Sequence, residues 1–176
     1  MKILFIVDMQ NGFITNSNKK LVENINNLIK SKQFDKIVAT QFINKEDSQY
    51  IKSLNWNEMF SSPQIDFAVE LPKDAIIIKK HSYGLPISMF KSDGFHLTND
   101  FVLSDDSEIY ICGTDYDACV LAIGYQMFDA GYAPKFIDNC IGSASRNPID
   151  KNIVEKIMQR NFGKQSVEFQ IEEERE

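Results

Sequence analysis

Glu108-Ile109-Tyr110-Ile111-Cys112-Gly113-Thr114-Asp115-Tyr116-Asp117-Ala118-Cys119-Val120 is the stretch whose reading decides the fold. Its first half, Glu108–Gly113, carries β-branched and aromatic residues and closes on a glycine, so it reads as a strand. A five-residue loop, Thr114–Ala118, follows. Val120, Ile123, Met127 and Phe128 then share one face at helical spacing, which places a helix from near Cys119 to Ala130. Strand, short loop and helix form the repeating half of an open α/β sheet, and the chain repeats it in both directions. Further strands are expected over Lys2–Asp8, Lys36–Phe42, Ala75–Lys80, Pro134–Asp138 and Gln165–Gln170. Leu21, Ile25, Leu28 and Ile29 mark one more helical face, and Ile149, Ile153, Val154, Ile157 and Met158 another. Ile3–Val7 and Ile76–Ile78 are apolar without alternation, as in strands covered on both faces. The pattern predicts an open parallel sheet with helices on both sides. Asn44–Lys73 departs from it. Trp56, Phe60, Pro63 and Phe67 there suggest a long excursion with short helices that could cover a pocket.

Composition narrows the function. The 176 residues fit one domain, 1–176, large enough for a core and a shaped pocket. With 43% hydrophobic and 25% charged residues the chain is of globular type, not disordered. A net charge of −6 repels phosphate backbones, so no nucleic-acid partner is expected. The acidic end, Glu172–Glu176, reads as a solvated tail. No apolar run approaches the roughly 18–20 residues of a membrane span. The first apolar run ends at Asp8 without a small-residue cleavage site, so a cytoplasmic location is expected. Three cysteines at wide spacing, without a CxxC pair, argue against a disulfide framework or a structural zinc site. His81 and His96 form neither HxH nor HxxxH, so no histidine metal site is expected. The phosphate-cradling loops GxGxxG and GxxxxGK[ST] and the GxSxG elbow are absent, and no cofactor is implied.

Open parallel sheets bind ligands outside the carboxyl ends of their strands. Asp8 ends the first strand, Lys80 ends the third, and Cys119 opens the helix after the fourth. A thiol at a helix N-terminus feels the positive end of the macrodipole, which favours thiolate, while free backbone N–H groups there can receive an oxyanion. Asp8 could take the thiol proton as a general base, or cap the turn Met9–Phe13. Lys80 could hold the pair in its charged form, and strand alternation allows only one of Lys79 and Lys80 to face the crevice. Position alone leaves Cys119 as either nucleophile or small buried hydrophobe. Cys112 reads as core and Cys140 as structural, and a Cys–His dyad stays open. Phe13, Tyr83, Tyr116 and Phe90 are candidates for the pocket wall.

Three separated motifs carry a resemblance. Phe5-Ile6-Val7-Asp8-Met9-Gln10-Asn11-Gly12-Phe13 resembles the opening motif of the isochorismatase-like cysteine hydrolases. Ile76-Ile77-Ile78-Lys79-Lys80-His81-Ser82-Tyr83 is similar to their catalytic-lysine strand, with lysine three residues before an aromatic, which selects Lys80. Cys112-Gly113-Thr114-Asp115-Tyr116-Asp117-Ala118-Cys119-Val120 is similar to their nucleophile motif, and Asp129-Ala130-Gly131-Tyr132 extends the match. The resemblance implies a three-layer α/β/α fold with a six-stranded, mostly parallel sheet. It implies an Asp8–Lys80–Cys119 triad, a cis peptide at Thr114–Asp115, and oxyanion donors at the backbone N–H groups of Asp115 and Cys119. It also implies a homo-oligomer.

Two positions depart from the family: Gly12 stands where an acid is common, and Leu85-Pro86-Ile87 interrupts the usual ending after the lysine. The family's nicotinamidases hold a metal through an Asp-x-His…His set after the second strand. Gln41-Phe42-Ile43-Asn44-Lys45-Glu46-Asp47 has no histidine, so a metal-independent enzyme is expected. The expected activity is hydrolysis of a small-molecule amide or related C–N bond through a Cys119 thioester. The alternatives are an isochorismatase-type vinyl-ether hydrolase, a non-catalytic ligand-binding module, and a redox-sensing thiol with Cys140 near in space.

Overall fold

Five consecutive apolar residues, Ile3 to Val7, leave no polar face, and the strand they form runs through the centre of the molecule. The structure is a computed structural model and describes residues 1–167. In chain order the elements are β1 (Lys2–Val7), α1 (Lys20–Lys30), β2 (Lys36–Phe42), α2 (Gln49–Leu54), β3 (Ile76–Lys80), β4 (Phe90–Lys91), β5 (Gly94–Thr98) and β6 (Phe101–Val102). β7 (Glu108–Thr114), α3 (Cys119–Asp129), β8 (Pro134–Gly142) and α4 (Lys151–Phe162) complete them. Five strands make a sheet in the order β3-β2-β1-β7-β8, every pair parallel. The chain leaves β1 to one side and returns to its other side at β7, so the sheet's switch point lies between β1 and β7.

Three layers follow from which faces are apolar. Leu21, Ile25 and Leu28 of α1 pack on one face of the sheet with Leu4, Ile6, Cys112 and Cys140. Val120, Ile123 and Met127 of α3 and Val154, Met158 and Phe162 of α4 pack on the other, with Ile3, Phe5 and Ile111. Each fully buried aliphatic side chain contributes roughly 1.5–3 kcal/mol. Gly113 lets β1 and β7 meet at the switch point: its φ is 113°, and a Cβ there would strike the backbone of Val7. Asp150 starts α4 by accepting from the N–H of Asn152 at 2.9 Å.

Several expectations need correction. The whole acidic end and half of the expected sixth strand, Gln165–Gln170, lie outside the described residues. Its described part, Gln165–Val167, is a turn in which the Ser166 carbonyl accepts from the Phe136 N–H at 2.6 Å. β3 alternates after all. It is an edge strand, with Ile77 and Lys79 exposed and Ile78 and Lys80 buried. Phe128, Ile149 and Ile153 are exposed, because the faces of α3 and α4 that reach the sheet centre on Ile123 and on the Val154–Met158–Phe162 stripe.

Residues 90–102 form a small antiparallel sheet, β4-β5-β6, whose first turn is Ser92-Asp93, with Gly94 opening β5 opposite Lys91. The excursion after β2 contains the short α2 and docks back on the β1 exit, where Asn11 N–H donates to Asp66 O at 2.8 Å and Ala68 N–H to Met9 O at 2.8 Å. Among the described residues no helix is long and apolar enough to cross a membrane.

Candidate active site

The sheet brings Asp8, Lys80 and Cys119 together from three separate elements. Asp8 follows β1 with φ 49°, a left-handed conformation that aspartate tolerates better than β-branched residues. Lys80 ends β3, two strands away, with its ammonium 2.7 Å from Asp8 Oδ2 and fully buried. The same ammonium donates to the carbonyls of Ser82 and Tyr83 at 2.8 and 3.1 Å and to Cys119 Sγ at 3.5 Å. An ammonium has three donors, so the thiol receives what the carboxylate and two carbonyls leave. Phe42 lies 5.3 Å below the ammonium. Burial alone would discharge Lys80. The Asp8 carboxylate and the Cys119 sulfur outweigh it, and the lysine is held above its ordinary value.

Cys119 is the first residue of α3, and no side chain caps that helix. Its surroundings oppose that helix end. Burial and the neighbouring Asp8 carboxylate push the thiol well above its ordinary value, and Lys80 only partly opposes them. The dipole of one helix end is a smaller effect than removing the sulfur from water. The folded environment thus works against the helix dipole and favours the thiol form, with the Lys80 ammonium 3.5 Å from the sulfur. Cys112 and Cys140 sit in the core on the opposite face of the sheet from Cys119. Burial raises both thiols, Cys140 to about 12. A Cys119–Cys140 redox pair has no geometric support.

The loop between β7 and α3 carries a cis peptide at Thr114–Asp115. Asp115 Oδ1 accepts from Thr114 Oγ1 at 2.5 Å and from the Ala144 N–H, and the Asp115 carbonyl accepts from the N–H groups of Ala118 and Val120, both at 3.1 Å. Among the described residues the N–H groups of Asp115 and Cys119 have no acceptor.

A cavity of about 140 Å³ opens onto Cys119. Thr114, Asp115 and Ala118 line it beside the sulfur, and Phe13, Phe42, Tyr50, Leu54, Trp56 and Tyr83 form the wall. Two of the four expected wall residues, Phe13 and Tyr83, are there. Tyr116 is instead a core residue whose hydroxyl donates to the Ile149 carbonyl at 2.6 Å. Phe90 packs on Phe95 at 4.7 Å and lines a different cavity beside Gln126 and Asp129, because β4 carries it away. Tyr50, Leu54 and Trp56 come from the excursion after β2, so that segment does cover the pocket. Neither histidine lines the cavity: His81 Nδ1 lies 2.7 Å from the Ile43 carbonyl, and His96 Nε2 lies 2.9 Å from Asp93 Oδ1.

One positioning residue was not anticipated. Thr40, buried in β2, donates to Asp8 Oδ1 at 2.6 Å and accepts from the Asp8 N–H at 3.1 Å. The signal for it is a lone hydroxyl within the apolar strand Val38–Phe42. Thr40→Val leaves the Asp8 N–H and Oδ1 without these partners. It is expected to cost about 1–3 kcal/mol in urea unfolding and about 10–100-fold in kcat, with Thr40→Ser restoring both. An unchanged kcat in Thr40→Val removes that role.

After β2 stands Asn44, whose amide donates to the Glu58 carbonyl at 3.0 Å and whose Oδ1 accepts from Lys45 N–H and Ser48 Oγ at 2.8 and 2.6 Å. This neutral side chain is already saturated. Among the described residues no group of three or more His, Cys, Asp or Glu could hold a metal ion.

Comparison with known proteins agrees with this architecture. Solved structures of the same fold include the pyrazinamidase of Pyrococcus horikoshii in complex with zinc, at 19% identity and a TM-score of 0.69 over 97% of this chain and 98% of that one. N-carbamoylsarcosine amidase from Thermoplasma acidophilum is 18% identical, with a TM-score of 0.70 over 92% of each chain. Nicotinamidase from Bacillus subtilis is 14% identical, with a TM-score of 0.66 over 92% of this chain and 96% of that one. No curated protein sequence matches the chain. The family model described as the isochorismatase domain matches residues 2–165, and the chain belongs to that family.

Proposed function

We propose that the chain hydrolyses a small-molecule amide or related C–N bond through a thioester on Cys119, without a metal. One observation carries the reading: a buried thiol, carboxylate and ammonium converge where a small cavity opens onto the sulfur. As a substrate carbonyl reaches Sγ, the thiol proton passes to Asp8 and the S–C bond forms. The carbonyl oxygen gains the negative charge and is received by the N–H groups of Asp115 and Cys119, which lack other acceptors. Asp8 then returns the proton to the nitrogen, the C–N bond breaks, and ammonia or an amine leaves. Water gives a proton to Asp8 and attacks the thioester. The acid departs and the sulfur regains its proton. Lys80 keeps its charge throughout and holds the carboxylate in line.

The neutral, saturated Asn44 supports the metal-free part of this reading. A homo-oligomer belongs to it too, since exposed Phe128, Ile149 and Ile153 supply apolar surface. The test is intact-mass spectrometry of the enzyme quenched during turnover of a panel of small amides, ureas and carbamoyl compounds. An acyl adduct is expected on Cys119. Turnover with no adduct on that residue, or no turnover of any compound, sinks the thioester mechanism.

A further inference from the structure

We propose that the cavity is a cation cage, and that the amide it selects carries a quaternary or protonated ammonium group instead of a carboxylate or a flat aromatic ring. This rests on the hydrolase reading for its chemistry but not for its binding. Five aromatic rings wall the cavity: Phe13, Phe42, Tyr50, Trp56 and Tyr83. They do not form a slot. Phe13 and Trp56 stack on one another, centroids 6.0 Å apart at 20°. A flat ring inserted between two others needs about 7 Å, twice the carbon–carbon contact distance. Tyr50 stands at 81° to Phe42, 68° to Trp56 and 78° to Tyr83, so the walls face in different directions. A rounded aromatic box of about 140 Å³ suits a compact, roughly spherical head group.

The electrostatics point the same way. No lysine, arginine or histidine lines the cavity among the described residues. Lys80, the ammonium beneath it, is sealed from solvent and engaged by Asp8. With the two N–H groups taken by the reacting carbonyl oxygen, a substrate carboxylate would therefore lose its water with no cationic side chain to receive it. An acidic residue is at hand: Asp115 lines the cavity, and both protein hydrogen bonds found for its carboxylate fall on Oδ1. Asp115 and Asp117 together also raise the Tyr83 phenol, behind burial and Cys119, which places both carboxyls near that wall.

The experiment compares three amides of similar size: trimethylammonioacetamide, its neutral isostere 3,3-dimethylbutanamide, and malonamate. The cation is expected to exceed the neutral amide about tenfold in kcat/KM, with the anion below both. Trp56 is the chain's single tryptophan, so its fluorescence reports tetramethylammonium binding without any chemistry. Saturable quenching is expected in the wild type and in Cys119→Ala alike. Tyr50→Leu should abolish the cation preference and weaken the quenching, and Tyr50→Phe, which keeps the ring, should retain both. Preference for the neutral or anionic amide, or no saturable quenching, overturns the cage while leaving the hydrolase standing. Quenching without hydrolysis of any amide leaves the cage standing and removes the hydrolase.

Discussion

Cys119→Ala is expected to reduce kcat, for any amide the wild type hydrolyses, by about 10⁴-fold or more. The reason is that, among the described residues lining the cavity, the thiol is the nucleophile that sits against the buried Asp8–Lys80 pair. Asp8 and Lys80 sit behind it, nearly or wholly sealed from solvent. Residues that act as one nucleophilic unit lose nearly all of their joint effect when the attacking atom goes, leaving only binding and the oxyanion donors. Stability should change little by comparison, since alanine fills most of the cysteine's space at the start of α3. KM should stay within a few-fold, because the aromatic wall is untouched. Steady-state kinetics alongside urea unfolding check both halves. Retained hydrolysis of isochorismate in this variant would instead point to vinyl-ether chemistry, which needs no nucleophile, and retained binding without any wild-type turnover would point to a non-catalytic module.

Lys80→Met is expected to be the most destabilising conservative change in the site, at about 3–5 kcal/mol. It strands the Asp8 carboxylate, 1% exposed, without its counter-ion. Activity should vanish with it. Removing both charges in Lys80→Met/Asp8→Leu should recover much of the stability and none of the activity, because an apolar pair of similar volume avoids desolvating two ions. The pH dependence has a definite sign. Lys80 is held above its ordinary value of 10.5, so its contribution is complete below that pH and is lost as pH rises through the higher folded value. On the alkaline side the gap between wild type and Lys80→Met should therefore begin to narrow above pH 10.5. An unfolding free energy for Lys80→Met within about 1 kcal/mol of wild type would show that the pair does not hold the site together.

How far the sequence reaches can be followed residue by residue. Hydrophobic runs and helical spacing located β1, β2, β3, β7 and β8 and the three long helices, because burial on both faces and a 3.6-residue period are local properties. The same locality placed Asp8, Lys80 and Cys119 at strand ends and a helix start, on one edge of a parallel sheet. Alternation showed only that one of Lys79 and Lys80 faces the crevice; the resemblance selected Lys80, and β3 buries Lys80 and exposes Lys79 as an edge strand. What composition and period could not convey was which aromatic goes where. Phe90 and Tyr116 had the same chemistry as Phe13 and Tyr83, yet β4 carried one away and the core absorbed the other. Tyr50 and Trp56 reach the cavity only because the excursion after β2 folds back onto the β1 exit. Thr40 becomes a support for Asp8 only when β1 and β2 lie side by side.

The protonation of Cys119 is the clearest division between the two levels. Its place at the start of α3 is a matter of sequence, and that place alone favours a thiolate. Its depth, and the carboxylate that β1 delivers beside it, exist only in the folded chain, and both push the thiol up against the pull of the helix end. Solvation and neighbouring charge depend on distances between residues far apart in sequence, here Asp8, Lys80 and Cys119, and only the tertiary structure sets those distances.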